Sequence, residues 1–324
     1  MKKILGIGNA LVDIMTSIDD DSFLNKHSLP KGSMQMVDKD KSDLINADSD
    51  KFNKVVTSGG SAANTIHGLG MLGAETGFIG AIGVDKMGDF FEKEMQDSGT
   101  IINLFRRKTP TGVAIALISP DSERSFATCL GAAVELSPSD LDDVFFSRYN
   151  ILYLEGYLIF NRSLVEKACM LAKRFNMEVV LDLASYNVVE AKLGDFMEIT
   201  SKYVDILIAN SEEANAFTGS DNVEALHKMS QISPIAIIKN GDEGSIIKSY
   251  NEIINIEAAA ANVRDTTGAG DLYAAGFLYG YSLNYSLYAC GKIGSLLAAK
   301  VIETTGARMP VETWNDIKKV LLCS

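Results

Sequence analysis

Metal-binding residues are scarce in this chain of 324 residues: there are three histidines and four cysteines. Cys129, Cys169, Cys290 and Cys323 show no C-x-x-C spacing and no histidine partners, so a zinc site is not expected. Unpaired thiols of this kind read as reduced side chains in a cytoplasmic setting. Basic residues are also in deficit, 30 Lys and Arg against 42 Asp and Glu, for a net charge of −12. That field argues against nucleic acid or an anionic membrane as a partner, while leaving room for a local basic pocket. No run approaches the roughly 20 apolar residues of a membrane span. The opening Met1-Lys2-Lys3-Ile4-Leu5-Gly6 is basic and then apolar too briefly for a signal peptide. A Gly-x4-Gly-Lys-Ser/Thr loop is missing, which leaves a P-loop NTPase unsupported. Gly6-Ile7-Gly8-Asn9-Ala10-Leu11 carries leucine where a dinucleotide fingerprint needs a third glycine, so a nicotinamide-dependent oxidoreductase is discounted. Internal repeats, low-complexity tracts and long linkers are absent as well.

What is present suits a large folded core: apolar residues make up 47% and charged residues 22% of the chain. Short apolar runs fit for buried strands occur at Ile4 to Gly8, Gly77 to Ile82, Ile151 to Leu154, Val179 to Leu183, Ile206 to Ala209 and Ile235 to Lys239. From residue 151 onward they recur at roughly 30-residue spacing with helical patterns between them, the rhythm of βαβ units. The expectation is an α/β fold, a mostly parallel central sheet with helices on both faces. Two strand-like segments, Thr111 to Ser119 and Arg124 to Leu130, flank the turn-rich Pro120-Asp121-Ser122-Glu123 and read as a hairpin. With Met34 to Val37 they suggest a small β-sheet lid built from inserted segments at about 14–38 and 109–131 on a single domain spanning 1–324; a hairpin decorating the sheet edge would give the same pattern.

The most informative local feature is Asp265-Thr266-Thr267-Gly268-Ala269-Gly270-Asp271, followed by the small, apolar stretch Leu272 to Gly280 that reads as a helix. Glycines let the backbone approach a ligand closely, and the first N–H groups of a helix have no intrahelical acceptor. Such a corner attracts anions, and the helix dipole adds to the attraction. Asp271 could then take the proton of an attacking hydroxyl, as phosphoryl transfer requires. A glycine turn with a dipole-favoured aspartate explains the same residues without catalysis.

Four weaker signals accompany it. Gly59-Gly60-Ser61-Ala62-Ala63-Asn64 opens a helical pattern and could lay a hydroxyl-rich ligand against the backbone with Asn64 bonding it, or be a tight turn with Ser61 as N-cap. Asp13, read at the end of the first parallel strand, is placed to bind ligand hydroxyls or to be a solvated loop residue. Asn210-Ser211-Glu212-Glu213 fits a helix cap, or a carboxylate organising water around Mg²⁺. Lys239-Asn240-Gly241-Asp242-Glu243-Gly244 fits a simple hairpin turn, or a turn that ATP's tail passes closely.

Together these motifs, the two glycine corners lying about 200 residues apart, are far more specific than any one of them. Over nearly its whole length the chain resembles the ribokinase-like superfamily of carbohydrate and purine kinases, with Gly59-Gly60-Ser61-x-x-Asn64 like its substrate motif and residues 265 to 271 like its catalytic signature. The resemblance implies Asp271 as general base and the amides of Gly268, Ala269 and Gly270 as an anion hole. It implies Asp13, Asn9, Gly59, Gly60 and Asn64 around the acceptor, and Asn210, Lys239, Gly241, Gly244 and Thr266 along ATP. Glu213 would serve Mg²⁺ through water, and Asp265 with the loop around Gly306 would lie near a monovalent cation such as K⁺.

Within the superfamily, Gly8-Asn9-Ala10-Leu11-Val12-Asp13-Ile14 and Arg124-Ser125-Phe126 through Leu130 look most like adenosine kinases. Arg124 would then close over the phosphates. Leu11, Met36, Phe126 and Leu130 would cover a purine, or simply form the packing face of the lid. Met34 stands where that subgroup tends to carry a polar base-reading residue, and Glu155 could contact sugar hydroxyls as in ribokinases. The implied activity is ATP- and Mg²⁺-dependent phosphorylation of a primary hydroxyl on a ribose-bearing molecule. An adenosine-like nucleoside comes first, a sugar of the ribokinase or fructokinase type second, and a non-catalytic sugar- or nucleotide-binding regulator third. The lid strands could pair two subunits or serve a monomer.

Overall fold

The computed structural model describes residues 1–121 and 123–322; Ser122, within the expected turn, and Cys323 lie outside the described residues. A nine-stranded sheet runs in the order β14-β13-β12-β11-β10-β9-β1-β5-β6. Its strands are β1 (Ile4–Ile7), β5 (Thr76–Gly83), β6 (Ile101–Arg107), β9 (Ile151–Glu155), β10 (Glu178–Asp182), β11 (Ile206–Asn210), β12 (Ile235–Lys239), β13 (Ser245–Ser249) and β14 (Glu252–Ile256). All neighbours from β6 to β12 pair in parallel, and β12, β13 and β14 form an antiparallel meander.

The apolar runs follow from this topology. Successive side chains of a strand point to opposite faces, and here both faces are covered: Leu5, Leu152, Leu181, Leu207 and Ala236 join one apolar layer, Ile4, Ile151, Val180, Ile206 and Ile237 the other. A strand buried on both sides has no polar alternation to show.

Five strands form a second sheet, ordered β3-β8-β7-β2-β4: β2 (Leu11–Ser17), β3 (Met34–Met36), β4 (Lys54–Gly59), β7 (Gly112–Ile118) and β8 (Arg124–Cys129). The expected hairpin is β7 paired antiparallel with β8. On one face Ile115, Leu117 and Ala127 pack with Phe23, Leu24, Leu29 and Ile45, while Ala114, Phe126 and Thr128, one residue out of phase, line a cavity. The boundaries differ from the expectation: this sheet starts at Leu11 and takes in β4, which lies outside 14–38 and 109–131. Asp13 is accordingly not at the end of the first parallel strand. After β1 the chain crosses into the second sheet within three residues, and Asp13 is the third residue of β2, opposite Thr57 on β4.

The helix Ala269–Ser282 packs between helices Ser61–Leu72 and Leu287–Val301. Small residues set the approach: a Cβ on Gly276 would lie 2.6 Å from the Ile293 carbonyl oxygen, and one on Gly68 would lie 2.8 Å from Leu272. No helix among the described residues is long and apolar enough to cross a membrane.

Gly276→Val must separate two helix backbones and is expected to cost about 1–3 kcal/mol or more. Gly194, inside helix Tyr186–Tyr203 with nothing within 4 Å of a Cβ, is the control. Gly194→Ala is expected to stabilise by about 0.4–1 kcal/mol. Thermal denaturation followed by circular dichroism checks both signs; a Gly276→Val protein as stable as the parent contradicts the packing account.

Candidate active site

Gly268 opens the helix Ala269–Ser282 in the left-handed region, with φ 77°, and a Cβ there would stand 2.6 Å from that of Ala307. Only glycine fits on both counts. The Ala269 N–H donates to the Thr266 carbonyl at 3.2 Å, closing the turn. Among the described residues the amides of Gly268, Gly270 and Asp271 have no protein acceptor, and all three residues line the cavity. The unpaired donors are thus Gly268, Gly270 and Asp271, in place of the Gly268, Ala269 and Gly270 expected from sequence.

Asp271 is held by two side chains from the other glycine-led helix: Ser61 Oγ donates to Oδ1 at 2.7 Å and Asn64 Nδ2 to Oδ2 at 2.9 Å. Thr65 Oγ1 adds a bond to the Asp271 carbonyl at 3.1 Å, fixing one helix on the other. Burial raises the Asp271 pKa, the two donors oppose the shift, and the nearby Asp182 adds to it. Ser61 is not an N-cap here; Gly60, with φ 97°, holds that position. Asn64 Oδ1 is buried without a partner among the described residues, an acceptor left for a ligand hydroxyl. Gly59 leaves room for the Asp13 carboxylate, and Gly60 for the Asn9 carbonyl. Desolvation pushes Asp13 up to about 7, with Arg308 opposing and Asp271 reinforcing the shift.

Two residues expected at the acceptor are bonded to each other. Glu155, 1% exposed, accepts from the Asn9 N–H at 2.9 Å, the Asn9 Nδ2 at 2.5 Å and the Ala62 N–H at 2.8 Å. Burial lifts its pKa to about 7. It clamps the β1–β2 connection to the start of helix Ser61–Leu72, and Asn9 is the other half of that clamp. Both residues also line the cavity where the acceptor contacts were expected.

Toward the far end, the Lys239 ammonium donates to Asp182 Oδ2 at 2.9 Å and stands beside Gly270. Asp182 and Glu213 hold the Lys239 pKa above its usual value although burial alone would lower it. Glu213 accepts from the Asn210 N–H at 2.7 Å and Nδ2 at 2.9 Å, so Asn210 and Glu213 form the helix cap that their spacing allowed. Burial, set against the pull of Lys239, raises Glu213 to about 7. Gly241 and Gly244 line the same cavity in the turn between β12 and β13; Gly244, φ 91°, lies where a Cβ would collide with the Ile256 carbonyl. Thr266 lines the cavity too.

Asp182, Glu213 and Asp271 face one ammonium, Lys239, an excess of negative charge that suits a divalent cation taking one or two carboxylates, water and phosphate oxygens. The expected monovalent cation fits less well. Asp265 accepts the Thr267 N–H at 2.6 Å and the Gly306 N–H at 2.7 Å, and the Arg124 guanidinium lies against its Oδ1. An alkali ion at this carboxylate would meet a positive charge already in place.

Sequence reasoning missed three residues. Asp182 ends β10 at the carboxyl edge of the parallel sheet, the very position rule applied to Asp13, so the signal was available. Ser61 was read as a cap. Arg308, whose Nη2 donates to Ser58 Oγ at 2.7 Å and whose charge faces Asp13, carries no local signature.

Most of these groups line one cavity of about 1640 Å³, running from Met34, Met36 and Phe126 on the second sheet and Leu130 just after it, past Leu11, Asp13, Asn64 and Asp271, to Gly241 and Gly244. Pockets for a single small ligand are about 300–1,000 Å³, so two ligands fit end to end. Solved structures share this fold. A probable sugar kinase from Rhizobium etli superimposes with a TM-score of 0.92 at 31% identity, covering 99% of each chain. The adenosine kinase of Sinorhizobium meliloti gives 0.90 at 33% identity, covering 98% of this chain and 99% of that one. A 5-dehydro-2-deoxygluconokinase of Listeria monocytogenes is 29% identical over 323 residues, 92% of this chain and 98% of the relative. Residues 34–314 match the model of the pfkB family of carbohydrate kinases. With the anion-binding corner and its carboxylate facing a two-ligand cavity, that match makes the chain a member of the pfkB family, a phosphotransferase acting on a sugar or nucleoside hydroxyl.

Proposed function

We propose that this kinase transfers the γ-phosphate of ATP to the primary hydroxyl of a ribose-bearing acceptor, an adenosine-like nucleoside before a free sugar. The observation that carries the transfer is Asp271, oriented by Ser61 and Asn64 beside three unpaired amides at the same helix start. A hydroxyl placed between Asp271 and Asn64 Oδ1 loses its proton to Asp271 as its oxygen attacks the γ-phosphorus. The bond to the β-phosphate oxygen breaks, and ADP leaves with that electron pair. The amides of Gly268, Gly270 and Asp271 meet the charge gathering on the transferred phosphoryl group, and Lys239 stands close enough to share it. Mg²⁺, held through water by Glu213 and Asp182, would supply charge neutralisation between the β- and γ-phosphates. Asp13 would accept from a second acceptor hydroxyl.

Preference for a nucleoside rests on the apolar wall. Met34, Met36 and Phe126 from the second sheet, Leu130 just after it, and Leu158 and Phe160 from the turn that follows β9 line this end of the cavity. Such a surface suits the face of a heterocycle and has nothing to offer the hydroxyls of a bare sugar. The adenosine kinase at 33% identity supports the same choice. A sugar acceptor has its own support in the Listeria relative and in the carboxylate of Asp13.

ADP release with adenosine, other nucleosides, ribose, fructose and 5-dehydro-2-deoxygluconate in turn is expected to give adenosine the highest kcat/KM, by about tenfold or more over any free sugar. A free sugar ahead of every nucleoside overturns the acceptor assignment, and no turnover with any of them overturns catalysis. The pH profile is a second check. Asp271 and Asp13 must be ionised to accept protons from the acceptor, and burial raises both, Asp13 to about 7. The acid limb of kcat/KM, which reports the free enzyme, should therefore fall near pH 7, with full activity above it. A limb at about 4, the range of an ordinary carboxylate, contradicts the assignment.

A further inference from the structure

We infer that Arg124 is a built-in cation for the anion-binding corner, so that this kinase works without the alkali ion its family resemblance implies. Asp265 is 2% exposed, and its carboxylate shapes the corner by accepting the amides of Thr267, one residue before Gly268, and of Gly306. A carboxylate buried this deeply needs a compensating charge. Among the described residues its one ion-pair partner is Arg124, whose side chain is itself only 13% exposed. The guanidinium also donates to Thr267 Oγ1 at 2.8 Å, so one side chain holds both the acid and the loop that the acid braces.

The source of this cation matters. Arg124 is the first residue of β8, in the hairpin of the second sheet, whereas Asp265 and Thr267 belong to the segment leading into the helix Ala269–Ser282. The ion pair therefore ties the second sheet to the phosphate end of the cavity, and the charge arrives only when the sheet is seated. Arg124 Nε is buried without an acceptor among the described residues, so the guanidinium is held by Asp265 and Thr267 alone. A free alkali ion would neutralise Asp265 whatever the position of the sheet; the arginine makes neutralisation and closure one event.

Two measurements test this, the first resting on the proposed reaction and the second independent of it. With K⁺, Na⁺ or N-methylglucamine as the sole monovalent cation at equal ionic strength, kcat/KM should agree within about twofold. Activation by K⁺ of about tenfold or more overturns the inference. Thermal denaturation without substrates is the second arm. The parent and Arg124→Lys should melt at the same temperature in K⁺ and in N-methylglucamine, while Arg124→Ala should melt lower and recover part of the loss in K⁺ alone. A K⁺-specific rise in the parent, or a folded Arg124→Ala that ignores K⁺, overturns the inference. Absence of turnover with every acceptor would remove the proposed reaction and leave the melting result standing.

Discussion

The hydrogen bonds from Ser61 and Asn64 to Asp271 are the joint on which the site depends. They lie at the meeting of two helix starts, each opened by a glycine at positive φ, and they fix a carboxylate that its own helix could not orient. Behind the joint, Thr65 ties one helix to the other and Gly68 lets Leu272 come close. Clearance in front comes from the Glu155 clamp on Asn9 and Ala62, which sets where the first of these helices begins. Core packing, backbone geometry and site geometry are therefore one arrangement: moving either helix moves the acid.

Charge is the second constraint. Asp13, Glu155, Asp182, Glu213 and Asp271 crowd around the cavity, and burial raises the pKa of Asp13, Glu155, Glu213 and Asp271. Lys239, Arg124 and Arg308 are the cations set among them. A net charge of −12 over the chain thus coexists with a local set of cations, of which Lys239 lines the cavity. A carboxylate whose pKa is raised by burial is a stronger base than a solvated one, which suits a proton acceptor.

Much of the large sheet was legible because strands buried on both faces read as continuous apolar runs, as β1, β9 and β11 do. The second sheet was harder. Its hairpin announced itself through turn residues, but β4 (Lys-Val-Val-Thr-Ser-Gly) mixes polar and exposed apolar positions, and the crossing from β1 to β2 leaves no mark in sequence. That crossing also misplaced Asp13. The site divides in the same way. Glycine corners have local causes and could be read, whereas Asp265 beside Arg124, or Arg308 beside Asp13, are meetings of distant segments that only the fold creates. Glu155 was read as a partner for sugar hydroxyls, and its bonds to Asn9 and Ala62, made across distant segments, left no mark in the sequence.

The central claim is that Asp271 takes the acceptor's proton, and replacing its charge while keeping its shape tests it most directly. Asp271→Asn should bind acceptor within a few-fold of the parent by calorimetry, since Ser61, Asn64 and the cavity wall remain. Its turnover should fall by about 10²–10⁴-fold, the usual worth of a positioned base. Near-parental turnover in that variant would contradict the account.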